Sequence, residues 1–178
     1  MAWSAPMTAI ANSAFTAAHF NQFVRDNLNE TAPAKATAAG RVFVSTGANS
    51  IAERAPTRAV VGTAEATSST SYTNLTTSGP AVTVTTGASA LVLWTATTQS
   101  NTANALCYMS LEISGATTQA ASDTWSLSVI HPVAATNLKY AAFYFFPLTA
   151  GNNTFTTKYR VSAGTGTFTN RQLFVFPL

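Results

Sequence analysis

From residue 59 onward, apolar and polar residues alternate over short runs separated by glycine, asparagine and proline. This is the two-residue period of strands that bury one face. Arg58-Ala59-Val60-Val61 predicts the start of a sheet, and Tyr72 to Leu75 a weaker strand. Ala81-Val82-Thr83-Val84-Thr85-Thr86 alternates cleanly and stops at Gly87. Ala90-Leu91-Val92-Leu93-Trp94 is apolar at both parities, as for a strand buried on two sides. Leu106 to Ser114 sets Met109, Leu111 and Ile113 on one face and Ser110, Glu112 and Ser114 on the other. Trp125, Leu127 and Val129 alternate with serines until His131-Pro132 ends the run. Tyr140 to Phe146 is dense in aromatic residues. Gly151-Asn152-Asn153 turns the chain into Phe155 to Val161, and Gly164 and Gly166 turn it into a closing strand, Gln172 to Phe176. About eight strands with no helical period predict an antiparallel β-sandwich, jelly-roll-like in preference to immunoglobulin-like.

The first 58 residues read differently. Phe20, Phe23, Val24 and Leu28 recur at helical spacing, with Asn21, Arg25 and Asn29 opposite. A helix of about four turns is expected over 16–30, with Thr16 as N-cap and Pro33 closing the segment. Such a helix is not stable alone and must dock on something. Trp3, Pro6 and Met7 form an apolar tip, suited to insertion into a partner or to packing back on the helix. Ala34 to Gly40 reads as a linker of small residues. Residues 41–54 then read as a hairpin turning through Thr46-Gly47-Ala48-Asn49. The expected organisation is an attachment segment, 1–58, followed by a β-sandwich domain, 59–178.

Composition sharpens this picture. Only 8% of residues are charged, while 47% are hydrophobic, against a usual charged share of about 25%. A monomer with so thin a charged skin is best completed by neighbours that cover part of its surface. The run Phe143-Tyr144-Phe145-Phe146, aromatic at both parities, is the candidate subunit interface: one set lines the core, and the other meets something apolar outside. A homo-oligomer is expected, with three-fold packing preferred.

Chemistry-bearing residues are few. The net charge is +3 and the nine basic residues are scattered, which argues against nucleic-acid binding. Two histidines, one cysteine and six acids form no metal-ligand spacing, no nucleophile elbow and no phosphate-binding loop. Glu112 reads as a solvated carboxylate, His131 as the end of a strand and Cys107 as a buried thiol. No enzyme, cofactor or metal is expected, and no apolar run is long enough for membrane insertion. No secretory signal is read at the start.

Several stretches resemble structural proteins from the tail-gene region of tailed bacteriophages, especially actinobacterial phages. Met1-Ala2-Trp3-Ser4-Ala5-Pro6 and Phe20-Asn21-Gln22-Phe23-Val24-Arg25-Asp26-Asn27-Leu28 are similar to a recurrent opening, Trp-x-x-Pro and then a helix ending Asn-x-x-x-Arg-Asp-Asn-Leu. The stretch between them carries alanine-rich text where that family has Gly-Glu and Val-Thr residues. Gly40 to Ile51 resembles a hairpin of phage fibre proteins. Gly151 to Arg160 and Thr167 to Arg171 are similar to β-domains that close such chains. The resemblance implies a virion protein assembled in the host cytoplasm, a minor tail or fibre-like component with no active site. Trp3, Pro6, Phe20, Phe23, Val24 and Leu28 would dock on other virion proteins of tail or capsid. Alternatives are a capsid decoration or head-fibre protein and a module binding host-surface glycan through the loops 99–104 and 149–153.

Overall fold

A computed structural model describes every residue except Met1, Ala2 and Pro6. The chain divides into two compact units, Met1–Ala55 and Pro56–Leu178.

The second unit is the sandwich, and its strands begin at the third of the chain, because β1 (Val42–Gly47) and β2 (Ser50–Arg54) belong to the first unit. They are β3 (Thr57–Val61), β4 (Glu65–Thr67), β5 (Ala81–Thr86), β6 (Ser89–Ser100), β7 (Ala105–Gly115), β8 (Leu127–His131), β9 (Leu138–Pro147), β10 (Gly151–Val161) and β11 (Gly166–Pro177). One sheet has the order β5-β10-β7-β8 and the other β3-β11-β6-β9, with β4 as an addition to β11. Without the short β4, the remaining eight strands number one to eight along the chain. The sheets then read 2-7-4-5 and 1-8-3-6. Every connection but the one from β7 to β8 crosses between sheets. This is a jelly roll, the eight-stranded double-sheet form of antiparallel architecture.

Alternation of side chains builds the core. In β5, Val82, Val84 and Thr86 point inward and are buried, while Ala81, Thr83 and Thr85 are exposed. In β7, Cys107, Met109, Leu111 and Ile113 enter the core, and Phe155, Tyr159 and Val161 of β10 lie beside them. The opposite sheet contributes Val92, Trp94, Phe146, Phe168, Leu173 and Val175. Trp94 also ties the layers by a hydrogen bond, its indole N–H donating to the Met109 carbonyl at 3.0 Å. A buried indole N–H without an acceptor would cost about 1–3 kcal/mol, so this bond fixes the ring's orientation as well as its place.

Three strand expectations change. The run Ala90–Trp94 is not buried on both sides: Ala90, Val92 and Trp94 are in the core, but Leu91 and Leu93 are exposed. Trp125 precedes its strand, in a 3₁₀ turn over Asp123–Trp125, because its indole reaches over to the Leu111 carbonyl at 3.2 Å. Tyr72 to Leu75 forms no strand; it makes one bridge, Thr73 to Tyr159, and drops Leu75 into the core.

Of the polar side chains sealed into this unit, Arg171 and His131 are the two that can carry a positive charge. Arg171 is wholly buried beside a register shift in β11. Its guanidinium donates to Glu65 at 3.0 Å and, at 3.4 Å each, to the carbonyls of Thr63, Thr77 and Gly79. It therefore gathers the 62–80 segment onto β11. Hydrogen bonds from Thr77, then the nearby Arg171 charge, hold the Glu65 carboxyl below its usual range against the effect of burial. His131 closes β8, with Nε2 3.0 Å from Thr98 Oγ1 and Nδ1 3.2 Å from the Thr136 carbonyl. A carbonyl only accepts, so Nδ1 carries the proton and Nε2 accepts from Thr98.

The first unit holds a helical stretch and a hairpin. The single helix expected over 16–30 is instead a composite: α1 (Ala17–Phe20), a π-helical turn (Asn21–Arg25) and α2 (Asp26–Leu28). Thr16 is the N-cap, in a capping box with His19: Thr16 Oγ1 accepts from the His19 N–H at 3.2 Å. The widened turn rotates the remainder of the helix by about 100° per added residue. Asn27, not Leu28, faces inward. Pro33 does not close the segment but sits in the first turn of α3 (Ala32–Lys35), where its missing N–H costs nothing. The residues read as linker thus begin inside a helix. The hairpin pairs β1 (Val42–Gly47) with β2 (Ser50–Arg54), and Asn49 takes the positive φ of the turn.

This core is open to two tests. Phe146→Ala should cost about 3–5 kcal/mol, the range for a buried phenylalanine, and Phe145→Ala far less, read from urea unfolding; equal losses would reverse the parity of β9. Burial lowers the His131 pKa, so the unfolded chain binds its proton first and stability falls as pH drops from about 6.5. In His131→Gln that part of the slope should vanish; an unchanged slope between pH 6.5 and 5 excludes His131 as its source.

Candidate interaction surface

In β9 the inward parity is Leu138, Tyr140, Ala142, Tyr144 and Phe146, and the outward parity is Lys139, Ala141, Phe143 and Phe145. The candidate quartet is split accordingly. Phe143 is 72% exposed and Phe145 56%, whereas Phe146 is fully buried. Phe146 is therefore corrected from interface to core, packed against Tyr144 at 4.8 Å and Trp125 at 6.0 Å between ring centroids. Tyr144 stands on the same inward side, at the rim against Trp125. An edge strand alternates like any other, so consecutive aromatic residues cannot share a face.

The strand register places Phe143 and Phe145 among apolar neighbours. Across β3-β11-β6-β9, one row of outward side chains runs Arg58, Phe174, Leu93, Phe143. The next, toward the other end of the strands, runs Phe176, Leu91, Phe145. On the opposite flank lies Val60, Gln172, Thr95, Ala141. The middle two rows make a continuous apolar band, and Phe174 and Phe176 touch within it at 5.0 Å. Their sequence signal was present: Leu91 and Leu93 are the off-parity residues of the run that looked buried on both sides, and Phe174 and Phe176 alternate with Leu173 and Val175.

The outer face of the other sheet is its opposite in character. Thr83, Thr85, Thr154, Thr156, Lys158, Glu112 and Ser128 stand on it, and Thr83 bonds Thr154 across strands at 2.8 Å. Leu106 and Ile130 at one corner are its apolar exceptions. The sandwich thus has one hydrated face and one dry one.

Charge follows the same division. The unit contains three acids, Glu65, Glu112 and Asp123, and five bases, Arg58, Lys139, Lys158, Arg160 and Arg171. Each acid has a base: Glu65 with Arg171, Glu112 with Lys158 at 3.3 Å, and Asp123 with Arg160. Glu112, expected as an exposed solvated carboxylate, keeps a side chain 44% exposed and pairs with Lys158. Arg160 also lies 3.6 Å over the Tyr108 ring, and its hydrogen bonds hold the Asp123 carboxyl below the usual range. The two remaining cations, Arg58 and Lys139, both point outward from the dry sheet. Arg58 donates to Gln172 at 3.0 Å within that face.

The attachment candidates lie in the first unit, apart from Pro6, which is outside the described residues. Trp3, Phe20 and Leu28 are exposed, and Phe23 and Val24 are half-buried. Met7, Ile10 and Phe15 add to the exposed apolar side chains. Sequence reasoning missed the contacts that order the tip. Buried Asn27 accepts from the Ser4 N–H at 2.8 Å and donates to the Ser4 carbonyl at 3.2 Å. The Trp3 N–H donates to Asn49 of the hairpin turn at 2.9 Å. An asparagine set among apolar neighbours on a helix was the available signal.

Of the asparagines in the candidate glycan loops, Asn101 and Asn153 are engaged internally. Asn153 is buried and bonds Thr86 at 2.8 Å and the Thr117 N–H at 2.7 Å, and Asn101 accepts from the Thr165 N–H at 2.8 Å. Cys107 is buried, which pushes its thiol pKa up to about 11.

Among solved structures, this chain is similar to a chain of infectious bursal disease virus, Gx strain, with a TM-score of 0.43 and 9% identity; the match covers 75% of this chain and 36% of that one, so this chain spans little more than a third of that protein's length. No protein-family model matches the sequence, and no curated protein does.

Proposed function

We propose that this chain is a non-enzymatic structural component of a tailed-phage particle. Its first unit docks on other virion proteins, and its jelly roll projects and self-associates as a homo-oligomer. The observation that carries the reading is the division of the sandwich into a hydrated face and one that carries an apolar band with no carboxylate. A domain that keeps its carboxylates locally paired and leaves phenylalanines outside is built to be covered. Jelly rolls also serve as lectin and cupin domains, so the fold alone does not choose among functions. The choice rests on that surface, on the exposed apolar tip and helix of the first unit, and on the resemblance of residues 1–28 to the opening of phage tail proteins. Tail association is the favoured location, through Trp3, Phe20 and Leu28 as the exposed contacts.

Immunogold labelling of intact particles of the encoding phage should decorate the tail, and the purified full chain should bind particles that lack it. Phe20→Asp with Leu28→Asp should cut that binding at least tenfold while the unfolding midpoint stays put. Absence of label from head and tail alike would end the reading. Label on the head would shift it to a capsid decoration protein.

A further inference from the structure

The two central rows of the dry face, and the row flanking them, have a property beyond being apolar. The four strands lie in the order β3-β11-β6-β9, so a line parallel to the strands, midway between β11 and β6, exchanges β3 with β9 and β11 with β6. We infer that the occupant of this face is a second copy of the same chain, packed face to face about a two-fold axis along that line. This rests on the assembly reading above and names the partner.

The register supplies the argument. Under that rotation Phe174 meets Leu93 of the other copy, and Phe176 meets Leu91. Gln172 meets Thr95, and Val60 meets Ala141. Phe174 and Phe176 each find a leucine, Gln172 finds a threonine, Val60 finds an alanine, and every contact occurs twice, as isologous symmetry requires. Arg58 meets Phe143, the most exposed ring on the face. A guanidinium over an open aromatic ring is a favourable pair, and it serves a cation for which the unit has no spare carboxylate. Lys139, two residues beyond Ala141 along β9, stays at the wet rim.

Area agrees. Taking about 200 Å² for a phenylalanine and somewhat less for leucine and valine, the exposed apolar part of the face comes to about 500 Å². That is at the upper end of the largest patch on an ordinary monomer. Doubled by the second copy, it reaches the ~1,000 Å² at which a specific interface begins. Aligned packing of two sheets at a separation of about 10 Å accommodates these side chains. Three-fold packing, preferred from the sequence, would set this face against a different surface of the neighbour and lose the row-by-row match.

The test uses the full chain. Sedimentation should show a dimer at micromolar concentration, and Leu93→Glu, at an exposed site, should convert it to monomer with an unchanged unfolding midpoint. Orientation is read by cross-linking. Arg58→Cys and Phe143→Cys chains, mixed and treated with a short bismaleimide, should give cross-linked dimer, while either alone should give little; buried Cys107 leaves the background silent. A wild-type trimer or monomer, a dimer indifferent to Leu93→Glu, or equal cross-linking of each variant with itself would overturn the proposal. Particle binding is scored separately. A chain that binds phage but fails these tests removes the two-fold pair alone, and one that passes them without binding phage removes the virion reading.

Discussion

A two-layer sandwich can hide one face of each strand and no more. Everything distinctive about this chain stems from how its sequence meets that limit. Where residues of one parity are apolar and the others are threonine or serine, as in β5 and β10, the strand is complete within the fold. Where both parities are apolar, as in β6, β9 and the end of β11, one set fills the core and the other is left over. These three strands are neighbours in one sheet, so the leftovers merge into a band. The jelly-roll order creates that adjacency, because it brings the last strand of the chain beside β6, which precedes it by about 75 residues, and sets β9 on the other side of β6.

Electrostatics strengthens the division. With three carboxylates in the sandwich, each placed beside a base, the domain has almost nothing left with which to decorate its surface. Two of the pairs bring loops onto the sheets: Arg171 draws in the 62–80 segment through Glu65, and Arg160 holds the Asp123 turn above Tyr108 and Tyr72. Lys158 and Glu112 pair across β10 and β7. Hydration therefore falls to threonine hydroxyls on one sheet, and on the other it is left to the few polar groups around the phenylalanine band.

Much of this was legible in the residues. Strict alternation located β5, β7 and β10 and the turns between them, since a period of two survives any tertiary arrangement. Thr16 as a cap and Asn49 as a turn residue were readable because their chemistry is local. The rest depended on pairing. Leu91 and Leu93 looked like core until the register showed which parity each sheet used, and Phe146 looked like surface for the same reason. Asn27, which shares a helical face with Phe23 and Val24, took the inward place read as Leu28's. Trp125 left its strand to reach a carbonyl fourteen residues away.

The placement of Arg58 and Lys139 has a kinetic consequence. With every carboxylate neutralised by a neighbour, the sandwich's long-range field comes mainly from two positive groups on the side that is also driest. Two such sides repel weakly at a distance and attract on contact, once water leaves the rings. Ions that shorten the reach of the repulsion to about 8 Å at physiological strength would release this brake without weakening the apolar grip. In the proposed pair, that arrangement would slow clumping of dilute, newly made chains and ease their union where salt and crowding bring copies within a few ångströms of each other.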